Sequence, residues 1–477
     1  VRSFKLRGAY YAINQLTFEE RANGVSCASA GNHAQGIAFT AKQLEIKAVI
    51  FMPVTTPAQK INQVKFFGGE FVQIELIGDT FDDCLKHALD YTEQFGLSFI
   101  DPFDNINTIA GQGTIAKEIV DYAEEEDIKF DYCFAAIGGG GLISGVAAFL
   151  GEVAPHVKVV AVEPEEAACL KIALDTGERK RLPQVGLFVD GVAVAQLGEI
   201  PFDVCRMPKS DNSGPVVEPD VVTCSNDEVC AAIKDVYDET RTIVEPAGAL
   251  AVAGMKKYIE DHNLQGKNCV AILCGANMNF DRLRYIAERT EIGEKKEAIF
   301  GVTIPERTGA FLDFCRSLKG RNITEFNYRI NTNPNYAHHA ANIFVGIALK
   351  EGEKERKAIH QLLNEADDAA IDLTDDEVAK THIRYLIGGH AGLKDEQLFR
   401  IEFPERPGAL LNFLEKLGSQ FNISLFHYRN HGAAEGRILA GIQMGEQTAE
   451  QLLAKLQDIG YECENLTDNL GYRLFLQ

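Results

Sequence analysis

From Gly24 to about Glu288, short apolar runs alternate with amphipathic stretches, and this alternation restricts the fold more than any other feature of the chain. Val25-Ser26-Cys27-Ala28 reads as a buried strand. It is followed by Ala34, Ile37, Ala38, Ala41 and Leu44 at the spacing of one helix face. Further strands are predicted at Lys47–Met52, Phe71–Leu76, Leu97–Ile100, Tyr132–Ile137, Val157–Val162 and Cys269–Leu273. Helices are predicted between them at Pro57–Phe67, Thr80–Phe95, Gly113–Glu124 and Leu142–Val153. Continuously apolar strands separated by helices predict an α/β fold, doubly wound, with a mostly parallel sheet covered on both faces. Met207–Pro219 has no apolar period and reads as an exposed loop.

After Glu294 the pattern changes to an internal repeat. Ile304-Pro-Glu-Arg-Thr-Gly-Ala-Phe-Leu312 is matched by Phe403-Pro-Glu-Arg-Pro-Gly-Ala-Leu-Leu411, 99 positions later. Ile323-Thr-Glu-Phe-Asn-Tyr-Arg329 is matched by Ile423-Ser-Leu-Phe-His-Tyr-Arg429, and Ile343–Ala348 by Ile438–Gln443. Each copy predicts strand, turn, helix, strand, strand and a further helix: a small α+β sandwich made twice. The expected domains are 1–294, 295–375 and 395–477.

A chain of 477 residues exceeds what one core usually supports, so several domains are expected in any case. The net charge of −22 disfavours nucleic acid and anionic membranes as partners, because both require a cationic face. The 11 cysteines are scattered, with no C-x-x-C pair and no metal-like clustering, so reduced thiols and no metal site are expected. That usage suits the cytoplasm or an organelle matrix. No apolar stretch is long enough to span a bilayer. The chain opens on Val1 rather than Met, with a motif directly behind it, and a preceding segment is expected to be missing.

Four motifs carry potential chemistry. The first is Ser3-Phe4-Lys5-Leu6-Arg7-Gly8-Ala9. A lysine by itself is usually a solvated surface charge. Between an aromatic residue and a small-residue helix it can be partly desolvated, which lowers its pKa and frees the amine for Schiff-base chemistry. The second is Ser29-Ala30-Gly31-Asn32-His33-Ala34-Gln35-Gly36, a turn from strand to helix whose unpaired N–H groups suit a carboxylate. Asn32 could equally be an ordinary helix cap. The third is Gly138-Gly139-Gly140-Gly141-Leu142, where several backbone amides can converge on one phosphate at a helix N-terminus. A flexible tight turn is the alternative, but four consecutive glycines cost helix and strand stability, which favours phosphate binding. The fourth is Leu273-Cys274-Gly275-Ala276-Asn277, at the edge of the last strand, where Cys274 could also be a structural thiol. Together they supply an amine, an anion turn, a phosphate cradle and a small polar group, all on loops after strands of one domain.

In that order and combination the motifs resemble the threonine and serine dehydratases, pyridoxal-phosphate enzymes of the tryptophan-synthase-β fold. The repeat resembles their paired ACT-like regulatory modules. The resemblance implies that Lys5 carries pyridoxal 5′-phosphate as a Schiff base and acts as general base. It implies that Phe4 packs on the cofactor ring and that Asn32 bonds the ring oxygen. Gly138, Gly139, Gly140, Gly141 and Leu142 would bind the phosphate, and Ser29, Ala30, Gly31 and Asn32 the substrate carboxylate. Cys274 stands where the pyridine nitrogen's partner is expected; biosynthetic relatives usually carry Ser there, and an ionised thiol would alter the ring's protonation. Relatives carry several dozen residues before the lysine motif.

The implied activity is deaminating dehydration of L-threonine to 2-oxobutanoate and ammonia, at the entry to isoleucine synthesis, with L-serine as the other candidate substrate. Isoleucine is the expected effector, bound near Pro305–Gly309 and Pro404–Gly408, and a homo-oligomer, a tetramer by resemblance, is expected. A degradative dehydratase or racemase would usually lack the two modules. A catalytically dead amino-acid sensor is the alternative from outside the enzymes.

Overall fold

The structure is a computed structural model. It describes residues 1–305, 314, 317–318, 321, 323–329, 340–365, 369–386, 395–404, 422–429, 435–445, 447–458 and 460–476. Two compact units divide the described chain between Ile286 and Ala287.

The first unit holds two four-stranded parallel sheets. One contains β1 (Val25–Ala28), β2 (Ala48–Met52), β3 (Val72–Leu76) and β4 (Ser98–Phe99), in the order β3-β2-β1-β4. The other contains β5 (Tyr132–Ala136), β6 (Lys158–Pro164), β7 (Val222–Cys224) and β8 (Cys269–Ala271), in the order β7-β6-β5-β8. The parallel α/β expectation therefore holds, with the strands divided between two sheets. Val25–Ala28 and Tyr132–Ala136 are buried throughout, as strands covered on both faces must be. Separate apolar clusters form on the two sheets, around Ile37 and Ile50 in one and around Phe134, Ile143 and Val160 in the other.

One helix begins earlier than the periodicity suggests. It runs Ile106–Glu125 rather than from Gly113, and the Asn105 side chain caps it by accepting the N–H groups of Asn107 and Thr108. Its Gly111 is a packing requirement: a Cβ there would stand 2.7 Å from the Arg7 carbonyl and from Gly8 Cα. That close approach locks the helix against Lys5–Gln15, reinforced by the paired Arg7–Glu118 bonds at 2.6 and 2.9 Å. The segment Met207–Pro219 is irregular, as expected, yet it is not an exposed loop throughout. Val216 and Val217 are buried, and Gly151 makes room for the Val216 side chain. Apolar burial here outweighs the polar composition of the segment.

The second unit contains two antiparallel sheets. Strands β9 (Glu297–Pro305), β10 (Ile323–Arg329), β11 (Ala340–Ala348) and β12 (Ala369–Asp372) are ordered β10-β11-β9-β12. Strands β13 (Glu396–Pro404), β14 (Asn422–Arg429), β15 (Glu435–Gln443) and β16 (Glu462–Asn465) are ordered β14-β15-β13-β16. The two orders are the same, so the sequence repeat is a repeat of topology. Each copy places a helix, Gly352–Glu365 or Ala449–Asp458, before its fourth strand. That fourth strand was not read from the sequence. Residues 306–309 and 405–408, the expected effector turns, lie outside the described residues.

Candidate active site

The four motifs converge in the first unit. Residues Arg2–Phe4 run antiparallel to the turn after β8: Phe4 N–H donates to the Cys274 carbonyl at 3.0 Å, and Ala276 N–H donates to the Arg2 carbonyl at 2.9 Å. Lys5 then opens the helix Lys5–Gln15, so main-chain bonds clip the amine to the Cys274 turn. Its Nζ donates to the Pro102 carbonyl at 2.9 Å and stands 5.4 Å from the Phe4 ring and 5.9 Å from the Phe103 ring. Burial brings the Lys5 amine down from the ordinary lysine value to about 8, against the opposing pull of Asp101. In the cofactor-free chain, labelling of Lys5 by an amine-directed reagent is therefore expected to rise through a midpoint near pH 8, because only the neutral amine reacts. Surface lysines should continue rising beyond about pH 10. Peptide mass spectrometry across pH checks this, and a Lys5 midpoint above 10 would contradict it.

Gly138–Gly141 lie between β5 and the helix Gly141–Val153, all buried. Gly140 has φ +99°, a conformation that favours glycine. A Cβ on Gly139 would meet the Phe103 ring at 2.3 Å, and one on Gly141 would meet the Phe103 backbone at 2.9 Å. The turn thus presents bare backbone at a helix N-terminus, where the first-turn N–H groups have no partner within the helix. Leu142 turns its side chain into the core, so it can offer a ligand its backbone N–H alone. Phe103 packs on the glycines and faces the Lys5 ammonium, joining the first motif to the third.

Asn32 begins the helix Asn32–Leu44, and Gly31 rather than Asn32 occupies the cap position. The Asn32 side chain is thereby free of the capping role. Its Nδ2 donates to Glu245 Oε1 at 2.7 Å, and its Oδ1 accepts from Asn277 Nδ2 at 2.5 Å. Ser29 Oγ accepts the Gly31 N–H at 3.2 Å, and Ser29, Ala30 and Gly31 are half-buried at the end of β1. His33 is buried, bonded through Nε2 to the Ile100 carbonyl at 2.8 Å, while its Nδ1 has no partner. Burial and the nearby Lys5 push His33 down to about 3, so it is neutral.

Cys274 is buried and donates to the Ala247 carbonyl at 3.2 Å. Burial, then the Glu245 carboxylate, pushes its thiol up to about 12. An ionised thiol at this position is therefore absent at neutral pH. Close by, Asp190 is paired with Lys60 at 2.9 Å and with Arg282 at 3.1 Å. The cations outweigh burial and hold its carboxyl at about 2.

Phe103, Glu245 and Asn277 contribute to the site without having been assigned a role from the sequence. Glu245 had a faint signal in Glu-Pro ahead of a small-residue helix. Phe103 had none, because it lies in an irregular segment whose position depends on the sheets. The arrangement fits pyridoxal phosphate: a glycine turn packed too closely on its neighbours for any Cβ, a half-buried amine with a lowered pKa, a neutral thiol, and an amide held by both ends.

Residues 1–275 match the family model for pyridoxal-phosphate dependent enzymes. Residues 288–383 and 387–476 each match the C-terminal regulatory domain of threonine dehydratase. The biosynthetic L-threonine dehydratase of Escherichia coli is 47% identical over 477 residues, covering 100% of this chain and 88% of its own. The mitochondrial threonine dehydratase of Saccharomyces cerevisiae is 44% identical over 487 residues, covering 100% and 82%. Among solved structures, the processed form of threonine deaminase isoform 2 from Solanum lycopersicum is 44% identical at a TM-score of 0.54, covering 60% of this chain and 79% of its own. With a pyridoxal-phosphate domain followed by two regulatory domains, this chain belongs to the threonine dehydratase family of pyridoxal-phosphate-dependent enzymes.

Proposed function

We propose that the chain converts L-threonine to 2-oxobutanoate and ammonia, the first step toward isoleucine, under feedback control from its C-terminal domains. The observation that carries this is the Lys5 amine, half-buried against two aromatic rings and clipped by main-chain bonds to the neutral Cys274 turn. Pyridoxal phosphate, when bound, withdraws electrons from the amino acid's Cα and acidifies its C–H bond. Backbone N–H groups of Gly138–Leu142 would hold the phosphate, Phe4 would pack on the ring, and Asn32 would donate to the ring oxygen. The Ser29–Asn32 turn holds the substrate carboxylate. The Lys5 amine takes the Cα proton, a role that an amine with a pKa near 8 performs better than an ordinary lysine. Cys274, a neutral thiol, places no negative charge at the ring nitrogen, which favours prompt loss of the β-hydroxyl.

The domain boundaries we assign are 1–294, 295–375 and 395–477. Isoleucine is the effector we assign to the repeated modules, through different affinities for two states of the protein. A homo-oligomer, as a tetramer, is the assembly we assign. The cytoplasm or an organelle matrix is the compartment we assign, in keeping with ten cysteines outside any disulfide among the described residues. None of the described helices is long and apolar enough to cross a membrane.

The test is to follow 2-oxobutanoate from L-threonine and pyruvate from L-serine with the cofactor-loaded chain, with and without isoleucine. Turnover of L-threonine is expected at a higher kcat/KM than that of L-serine. Saturating isoleucine is expected to displace the threonine curve to higher concentration. Bound cofactor without turnover would favour the sensor, and an unchanged curve would overturn the assignment of isoleucine.

A further inference from the structure

An acidic residue directly before a helix ordinarily turns its side chain onto the helix's own first N–H groups. Glu245 precedes the helix Pro246–Asp261 and makes no such bond. Its carboxylate is 5% exposed and is turned onto Asn32, whose Nδ2 donates at 2.7 Å. The Asn277 backbone N–H also bonds to it. At the far end of the Asn32 amide, Asn277 Nδ2 donates to Oδ1 at 2.5 Å and to Gln35 Oε1 at 2.7 Å. The close fit is enforced by Gly275, where a Cβ would stand 2.0 Å from Glu245 Oε1.

An asparagine amide is nearly symmetric in shape, with two donors at one end and an acceptor at the other. A carboxylate, which can only accept, fixes the nitrogen end, and the Asn277 amide fixes the oxygen end. One Nδ2 hydrogen is then used by Glu245, and the second is left for a ligand. We propose that Glu245 is a positioning residue, holding Asn32 so that an N–H, rather than a carbonyl, faces the cofactor's ring oxygen. This rests on the reading of the pocket given under Proposed function.

The charge on Glu245 is the working part, because a charged acceptor makes the stronger bond. Burial, then Asp190, pushes the Glu245 carboxyl up to about 7, against Asn32 and Lys60. The groups around it are Asp190 with its partners Lys60 and Arg282, and the Cys274 thiol from the turn after β8. The orienting charge is thus present above about pH 7 and lost below it.

Pyridoxal 5′-phosphate is titrated into the cofactor-free chain while its visible absorption is followed at pH 8 and pH 6. The variants are Glu245→Gln, Glu245→Asp, Asn32→Ala and Asn32→Ala with Glu245→Gln. At pH 8, Glu245→Gln is expected to weaken cofactor binding by roughly tenfold and to displace the absorption maximum, with a smaller effect at pH 6. Glu245→Asp keeps the charge but loses the reach, and is expected to behave in the same way. With Asn32 replaced by alanine, Glu245→Gln should change neither quantity, since a residue acting through another has no effect once that one is gone. Wild-type affinity and spectrum in both Glu245 variants, or an equal loss without Asn32, would overturn the proposal. No visible band in the wild-type chain would instead overturn the pocket itself.

Discussion

A Lys5→Ala chain is expected to lose the visible absorption of bound cofactor and to turn over L-threonine at least about a thousandfold more slowly than wild type. Two losses coincide in one atom. The amine is the group that would hold the cofactor covalently, and it is also the base at Cα. Effects of residues acting as a unit are not additive, so supplying more cofactor should not restore the rate. The fold should survive the change. The side chain lies half-buried at the start of its helix, where alanine is an excellent helix former, and the clip between Arg2–Phe4 and the Cys274 turn is made by backbone atoms. Circular dichroism should therefore be unchanged while product formation disappears. A variant that kept a tenth of the wild-type rate would show that another group takes the proton.

Gly139→Val is the second substitution with a large expected effect. A Cβ at Gly139 would stand 2.3 Å from the Phe103 ring, far inside van der Waals contact. Either the ring is driven toward Lys5 or the turn opens and its N–H groups lose their common focus. Both outcomes remove the phosphate cradle, and cofactor affinity is expected to fall by about a hundredfold, the loss of two charge-assisted hydrogen bonds. The same substitution with Phe103→Ala makes room for the side chain. Partial recovery of affinity in the double variant is the expected result, measured by the same absorbance titration. Equal affinity in Gly139→Val and wild type would mean that the phosphate is held elsewhere.

The sequence and the structure agree best where the signal is local. Val25–Ala28 and Tyr132–Ala136 are apolar at every position because helices cover both faces of their sheets, and that pattern is visible in a single run of text. The repeat is equally legible, since blocks of matched residues recur in order, and the two sheets have the same strand order. The start of Ile106–Glu125 was not legible. The periodicity started the helix at Gly113, whereas Gly111 lies inside it because another helix comes within contact distance. The short strand β7 escaped for a related reason. Three residues, Val222–Cys224, carry no period, and their partner β6 lies far back in the chain.

By itself the sequence determined the parallel α/β class and the repeated module, and it put forward Lys5, Asn32, Gly138–Gly141 and Cys274 as the candidate chemistry-bearing positions. Each is announced by its own neighbours: a strand before it, a helix after it, or a run of glycines between the two. Tertiary structure alone decided how those residues are poised. Cys274 is neutral because burial and Glu245 act on it, and Lys5 is held near 8 because burial outweighs Asp101. Asn32 is oriented by Glu245 and Asn277, more than two hundred positions away in the chain. Protonation and orientation depend on what surrounds a group in space, and the dielectric and hydrogen-bond partners that set them exist only once distant segments have packed.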